Sequence, residues 1–273
     1  MSDVSLAVWA VCLVPSAERE RMNNTSKLRL LLTTTATACA LAAPLHADTV
    51  LETETAELGK KGEGLISNSV QFEHTPDGRT AFSLTQFEYG ITDRAEILIE
   101  PFFQQWEHPK DGKSFHGMGD LEITPSYMIQ LDDEKSWVPA IVLAFKLKVP
   151  TAHNRDIGTG EYDYYPYVIV GKKFGNWLFN LNLGVNFFGQ TPGEPYRKNE
   201  FIYDFSAEYK ITPKWSVFGE VFGNTKPEAG QKGTFAGAVA TEYSLSEHFN
   251  VFVSVGYDTD RVFNVRPGFN FPF

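Results

Sequence analysis

The chain has 273 residues, of which 42% are hydrophobic and 14% aromatic, and its formal net charge is −10. It contains no uncharged apolar run of the roughly 18 residues that a spanning helix needs, which excludes a helical membrane protein. The acidic balance, with no basic patch, excludes nucleic acid as a partner.

Near the N-terminus Lys27 and Arg29 precede Leu30, Leu31 and Leu32 and an Ala/Thr-rich stretch that runs to Ala43. Pro44 and then Leu45-His46-Ala47 follow. A positive start, a short apolar stretch and a small terminal residue match a secretory signal peptide, with cleavage expected after Ala47. Residues 1–47 would be removed, the exported chain would begin at Asp48, and it would be more acidic still. Glu18, Arg19, Glu20 and Arg21 stand directly before Met22 and fit no part of such a signal, so Met22 is the expected start, and a short extra helix over residues 1–21 is the rival. Cys12 and Cys39 both fall in the removed part, which leaves no thiol. Cys39 as a lipidation site is a further reading, although Ala36-Thr37-Ala38 before it lacks the usual Leu. Residues 48–63, with Glu52, Glu54, Glu57, Lys60 and Lys61, are too polar to span and are expected to form either a periplasmic tail or a plug in a lumen.

From residue 64 onward the chain alternates apolar and polar residues in segments of about ten, the length and period of a tilted membrane-spanning strand. In 177–188, Trp177, Phe179, Leu181, Leu183, Val185 and Phe187 share one face, and Asn180, Asn182, Gly184 and Asn186 the other. A helix, with its period of 3.6, would mix the two sets. The same parity sets Leu121, Ile123, Tyr127, Ile129 and Leu131 against Asp120, Glu122, Thr124, Ser126 and Gln130. It sets Ile141, Leu143, Phe145, Leu147 and Val149 against Lys146 and Lys148. Strands are predicted near 64–75, 80–90, 94–106, 117–131, 137–149, 161–174, 177–189, 199–210, 214–224, 233–244, 248–257 and 261–273. The fold class is therefore all-β: an antiparallel up-and-down transmembrane barrel of about 12 strands spanning residues 64–273.

Tight links are predicted after the even strands: 90–93, 132–136, 175–176, 211–214 and 244–247. Longer polar loops, such as 107–116, 150–160, 190–199 and 224–232, follow odd strands. Short periplasmic turns and long extracellular loops mark an outer-membrane barrel. Trp137, Trp177, Trp215 and Phe249 open strands beside the short turns, and Tyr89, Phe174, Tyr209 and Tyr243 close them. All eight point outward on this parity, as an interfacial girdle should. The last strand carries Phe269, Phe271 and Phe273 on one face. A terminal Phe on such a strand resembles the signal read by the barrel assembly machinery, which makes Phe273 the expected contact; Pro267 and Pro272 predict imperfect pairing at the strand ends. A soluble β-sandwich or lipocalin-like barrel would alternate too, with the apolar face inward.

Several segments resemble the family of outer-membrane transporters labelled as the MetA-pathway of phenol degradation. They are Phe87-Glu88-Tyr89-Gly90-Ile91-Thr92-Asp93-Arg94, Gly117-Met118-Gly119-Asp120-Leu121, Pro139–Ala152, Gly158–Asp163 and Lys172-Lys173-Phe174-Gly175. The likeness covers roughly 60–273. It implies a barrel and uptake of organic compounds, and it supplies no catalytic residues.

On the face opposite the lipid lie Glu88, Glu96, Glu100, Asp120, Glu122, Asp163, Asp204, Glu208, Glu220 and Glu242, with Lys146, Lys148, Lys210 and Arg266. Charges there must meet water or one another, since facing lipid at mid-depth would cost ~2–4 kcal/mol for each Arg or Lys. Tyr165, Tyr167, Phe218 and Phe222, with Phe82, Phe102, Phe188 and Phe252, share that face. The expected function is a constricted outer-membrane channel for a small aromatic or hydrophobic organic solute. Its rival is a closed lumen in a structural or lipase-like barrel. His74, His108, His116, His153 and His248 fall in loops or a turn, no outward Ser has a His at a strand-compatible offset, and neither Gly-x-Ser-x-Gly nor His-Glu-x-x-His occurs, so no enzyme, cofactor or metal is expected. His108 and His116 with Asp111, or Asp258 with Asp260, could meet a cation but lack the ligand count of a site. The expected partners are outer-membrane lipid, the assembly machinery and a small organic solute.

Overall fold

The computed structural model describes residues 50–154, 157–190, 199–225 and 232–273, apart from the side chains of Phe102 and Phe103. The signal-peptide reading of 1–47, with Cys12, Met22 and Cys39, lies outside them, as do the Phe102 side chain and the middles of three predicted outer loops.

The described chain forms strands β1 (Gly64–Thr75), β2 (Gly78–Thr92), β3 (Ala95–Pro109), β4 (Phe115–Met118), β5 (Leu121–Gln130), β6 (Ala140–Val149), β7 (Asp163–Phe174), β8 (Trp177–Asn186), β9 (Glu200–Thr212), β10 (Trp215–Asn224), β11 (Phe235–Ser246), β12 (Phe249–Asp258) and β13 (Phe263–Pro272). Neighbours in sequence pair antiparallel, and β1 pairs with β13, which closes the sheet and leaves no edge. The fourth predicted strand is two pieces, β4 and β5, both laid against β3, so thirteen segments make twelve staves.

The break has a chemical cause. Pro101 on β3 has no N–H to give, and the ladder passes from Glu100↔Glu122 to Gln104↔Met118 with no pairs between. Opposite it, Asp120 leaves the ladder to accept the Ala152 N–H at 2.9 Å.

Polar groups face the centre and apolar ones the outside. On β8, Asn180 and Asn182 are 1% and 2% exposed whereas Trp177 is 45% exposed, an order that a soluble barrel would reverse. Leu143, Phe145, Phe201, Phe205, Val239, Val253, Phe269 and Phe271 are likewise exposed on the outer wall. This is the arrangement of a transmembrane β-barrel, in which hydrocarbon is the outer solvent.

At the end of the barrel where Gly64 and Phe273 meet, called here the turn end, four connections have two residues each: 93–94, 175–176, 213–214 and 247–248. The fifth, 131–139, is longer than predicted, and Trp137 sits in it rather than opening a strand. Lys172 organises this turn, its ammonium donating to Asp132 Oδ1 at 2.6 Å and to the Asp133 carbonyl at 2.8 Å. The N–H of Lys135 and the Ser136 hydroxyl hold the Asp133 carboxyl below its usual range. At the other end the length rule also has exceptions. Residues 76–77 form a two-residue hairpin and 259–262 a short turn, so the outer connections are not uniformly long. The first hairpin is tight because β1 and β2 stay in register up to Thr75↔Gly78, with Thr75 Oγ1 accepting the Asp77 N–H at 3.1 Å.

The girdle aromatics lie together at the turn end. Tyr89, Trp137, Phe174, Trp177, Trp215, Tyr243, Phe249 and Phe273 are exposed there, and Tyr209 is half-buried against the Trp177 ring, 4.7 Å between centroids. Trp137 meets Phe174 edge-on at 5.2 Å, and the Trp215 indole N–H donates to Thr241 Oγ1 at 2.8 Å. Rings with an apolar body and a satisfied polar tip suit the depth where hydrocarbon gives way to water.

The last strand pairs better at its tip than its prolines predict. Pro272 is matched to Leu65, and the Phe273 N–H and carbonyl both bond Gly64 at 2.9 Å. The interruption falls at mid-strand, where the register with β1 runs from Ser69↔Gly268 to Phe72↔Val265 and skips Pro267. A proline that lacks its N–H breaks the ladder on one side only, and β12 still matches Val253 to Pro267.

Candidate functional site

The barrel is not empty. Residues 50–61 run through its lumen, with Val50, Leu51, Thr53, Thr55 and Ala56 each at most 2% exposed. The wall holds this segment largely through its backbone. Glu220 on β10 accepts the N–H groups of Glu52 and Thr53 and the Thr53 hydroxyl, at 2.9 to 3.2 Å. Asn180 on β8 accepts the Ala56 N–H at 3.1 Å, and Glu96 on β3 accepts the Gly59 N–H at 2.6 Å. Arg266 on β13 donates to the Val50 carbonyl at 2.8 Å and to Glu52 Oε1 at 3.1 Å. With its amide oriented to satisfy both contacts, Asn182 bonds the N–H and carbonyl of Glu54 at 2.7 and 3.0 Å. The Tyr167 hydroxyl donates to the Glu54 carboxylate.

Apolar contacts complete the seat. Val50 and Leu51 pack on Phe218, Ala240 and Phe252. Ala56 and Leu58 pack on a patch made of Met128, Ala140, Val142, Ala144, Tyr165, Tyr167 and Ile169. At the rim the segment turns into β1 through Gly62, whose φ is 85° and whose N–H meets the Gly90 carbonyl at 2.8 Å. Gly90 must lack a side chain, because a Cβ there would lie 2.1 Å from the Lys60 carbonyl oxygen.

The predicted lumen residues that the structure describes do not form one site. Glu96, Glu220, Arg266, Tyr167 and Phe218 hold the segment, as above. Glu100 and Glu122 flank Lys146, whose ammonium is 3.4 and 3.2 Å away. Asp120 and Asp163 flank Lys148 at 3.5 and 2.7 Å. Glu208 accepts the Ser216 hydroxyl at 2.7 Å, and Glu242 accepts from Asn270 at 2.9 Å. Both oxygens of Glu88 are buried with no hydrogen-bond partner, in a narrow gap against Gly59 and Leu65. Tyr165, Asp204 and Phe222 line a cavity described below. Sequence reasoning missed the apolar seat, above all Met128, Val142 and Ile169. The signal was present in Pro139–Ala144, where apolar residues fill both faces of a strand, as in strands buried on both sides.

Two cavities flank the segment. One, of about 370 Å³, lies against β2, β3, β5 and β6 and is lined by Leu84, Leu98, Glu100, Glu122, Lys146 and Lys148 among others. The second, of about 200 Å³, lies against β7 to β10. Glu52, Glu54 and Lys146 line both.

Among the described residues no three His, Cys, Asp or Glu side chains converge as metal ligands. Polar groups at the strand ends and in the connections make local contacts. His108 Nδ1 meets Ser114 Oγ at 2.9 Å, Asp258 Oδ1 accepts the Val262 N–H at 2.9 Å, and Asp260 accepts the Thr234 hydroxyl at 2.8 Å.

A closed barrel of twelve staves, ion-paired within, apolar without and ringed by aromatics at the turn end, defines the class of outer-membrane β-barrels. The sequence model of the family described as "Putative MetA-pathway of phenol degradation" matches residues 86–272, and the chain belongs to that family. No curated protein matches it in sequence. Its fold is similar to that of the COG4313 outer membrane channel from Pseudomonas putida F1, with a TM-score of 0.66 at 14% identity over 80% of this chain and 98% of that one. It is also similar to the NanC porin, with a TM-score of 0.56 at 12% identity over 76% and 98%. A third similar structure is the KdgM porin in complex with disordered oligogalacturonate, with a TM-score of 0.51 at 15% identity over 76% and 99%.

Proposed function

We propose that the protein is a passive outer-membrane channel for small organic solutes, narrowed by its own N-terminal segment. The observation that carries this reading is the pair of cavities left beside the segment inside a wall of ion-paired Lys and carboxylate side chains. Charges of this kind keep a path wet, and the aromatic and aliphatic groups beside them offer contact to an organic solute. The resemblance to a channel and two porins supports a passive role. Residence in the outer membrane of a Gram-negative bacterium, after export and after assembly guided by Phe273, follows from the same reading. The rival is a sealed barrel, and the buried hydrogen bonds to residues 50–59 favour it.

Planar-bilayer recordings decide between them. The purified full chain is expected to carry ion current in discrete steps, and a variant lacking residues 50–61 to carry more. Absence of current from both would end the channel reading.

A further inference from the structure

The smaller cavity has a chemistry of its own. Its walls include Tyr165, Tyr167, Phe222, Asp204 and, from the segment, Glu52 and Glu54. Tyr165 and Tyr167 are stacked, 4.6 Å between centroids and 15° between planes, so that each ring covers one face of the other. The pair sits close over residue 184, which must be glycine: a Cβ there would come within 2.4 Å of the Tyr165 ring and 2.5 Å of Tyr167 Cβ. Phe222 stands on β10 directly opposite Asp204 in the ladder, which brings an aromatic ring and a carboxylate side by side.

The carboxylates here are not equivalent. Glu52 is paired with Arg266 at 3.1 Å, and Glu54 accepts the Tyr167 hydroxyl. Asp204 is 9% exposed, lines the cavity, and has neither a hydrogen bond nor an ion pair with any described residue. A carboxylate withdrawn from water and left unpartnered is costly unless a cation or donor meets it. Among the described residues that line the cavity the basic one is Lys146, which places its ammonium between Glu100 and Glu122.

A carboxylate beside aromatic faces is the arrangement that recognises an organic ammonium group, through charge on one side and the ring quadrupole on the other. Deepening the channel reading, on which it rests, we propose that this cavity is a binding site for a small organic cation, an alkylammonium or quaternary amine, with Asp204 as its counter-ion and Tyr165 and Phe222 as its aromatic walls. An organic anion meets three carboxylates there and is repelled. A neutral phenol gains the ring contacts but leaves Asp204 without a counter-charge.

Calorimetric titration of the full chain in detergent with choline, benzoate and phenol tests this. Choline is expected to bind at least about tenfold more tightly than either of the others. Asp204→Asn and, separately, Tyr165→Leu are each expected to weaken choline about tenfold, the second variant serving if the first fails to fold. Equal or tighter binding of benzoate or phenol, no binding of choline, or unchanged choline affinity in a folded variant would overturn the proposal. Bilayer current separates this outcome from failure of the channel reading. Choline that binds in titration to a protein carrying no current upholds the site and ends the channel, whereas current with no choline binding does the reverse.

Discussion

Glu220 binds Thr53 twice through one oxygen: its Oε2 accepts both the Thr53 N–H at 3.0 Å and the Thr53 hydroxyl at 2.9 Å. The Glu52 N–H reaches the same carboxylate at 3.1 and 3.2 Å. A strand in the middle of the wall thereby holds a segment more than 160 residues away in sequence. Glu220→Ala removes the acceptor and leaves those donors unpaired, a loss of about 1–3 kcal/mol. Bilayer current through this variant is expected to exceed that of the parent chain, and trypsin is expected to cut faster after Lys60 or Lys61. Unchanged current together with unchanged cleavage would show that the segment is not held there.

The wall reads the segment chiefly through main-chain atoms at Glu220, Asn180, Asn182, Glu96 and Arg266. A synthetic peptide of residues 48–63 added to the variant lacking 50–61 is therefore expected to lower its current in a concentration-dependent way. A scrambled peptide of the same composition loses the Val50, Leu51 and Ala56 contacts and is expected to act more weakly. Equal block by both would mean that the seat is nonspecific.

A Cβ on Gly90 would lie 2.1 Å from the Lys60 carbonyl oxygen and 2.6 Å from that of Gly59, both backbone atoms with little room to yield. Gly90→Ala is expected to displace the segment at the rim while the barrel still forms. Heat-modifiable mobility on a gel checks the barrel, and trypsin sensitivity at Lys60 checks the displacement.

Lys148 stands between Asp120 and Asp163. Lys148→Met leaves both carboxylates without their cation, and the barrel is expected to lose about 3 kcal/mol, as when one partner of a buried pair is removed. Urea unfolding in lipid vesicles would show the midpoint falling. The double replacement Lys148→Met with Asp163→Asn is expected to recover part of that loss.

Leu181 faces outward near the middle of β8, with Asn182 beside it facing in. Leu181→Arg is expected to cost ~2–4 kcal/mol in the same unfolding measurement. A much smaller cost would contradict the assignment of the outer wall to hydrocarbon.

Strand parity was legible because a period of two needs only the order of apolar and polar residues, and β1 begins and ends where the alternation does, at Gly64 and Thr75. Three features were not. The gap between β4 and β5 depends on Pro101 of the neighbouring strand, which becomes relevant only once the register is known. The long turn 131–139 depends on Lys172, which lies one strand further on and supplies its hydrogen bonds. The path of residues 50–61 depends on five strands at once. Their composition says only that they cannot face lipid, so a periplasmic tail and a lumenal segment read alike. Within the lumen, charge was legible and occupancy was not. Asn180 and Asn182 look like ordinary polar wall until the Glu54 and Ala56 backbone is set against them.

The closing seam joins β1 to β13, and the groups that grip residues 50–59 are spread over β3, β7, β8, β10 and β13. Residues 50–59 are made before any strand of the wall, yet their seat is complete only when the ring has shut. The segment thus acts as a latch on the finished cylinder, tying together staves that all follow it in the chain.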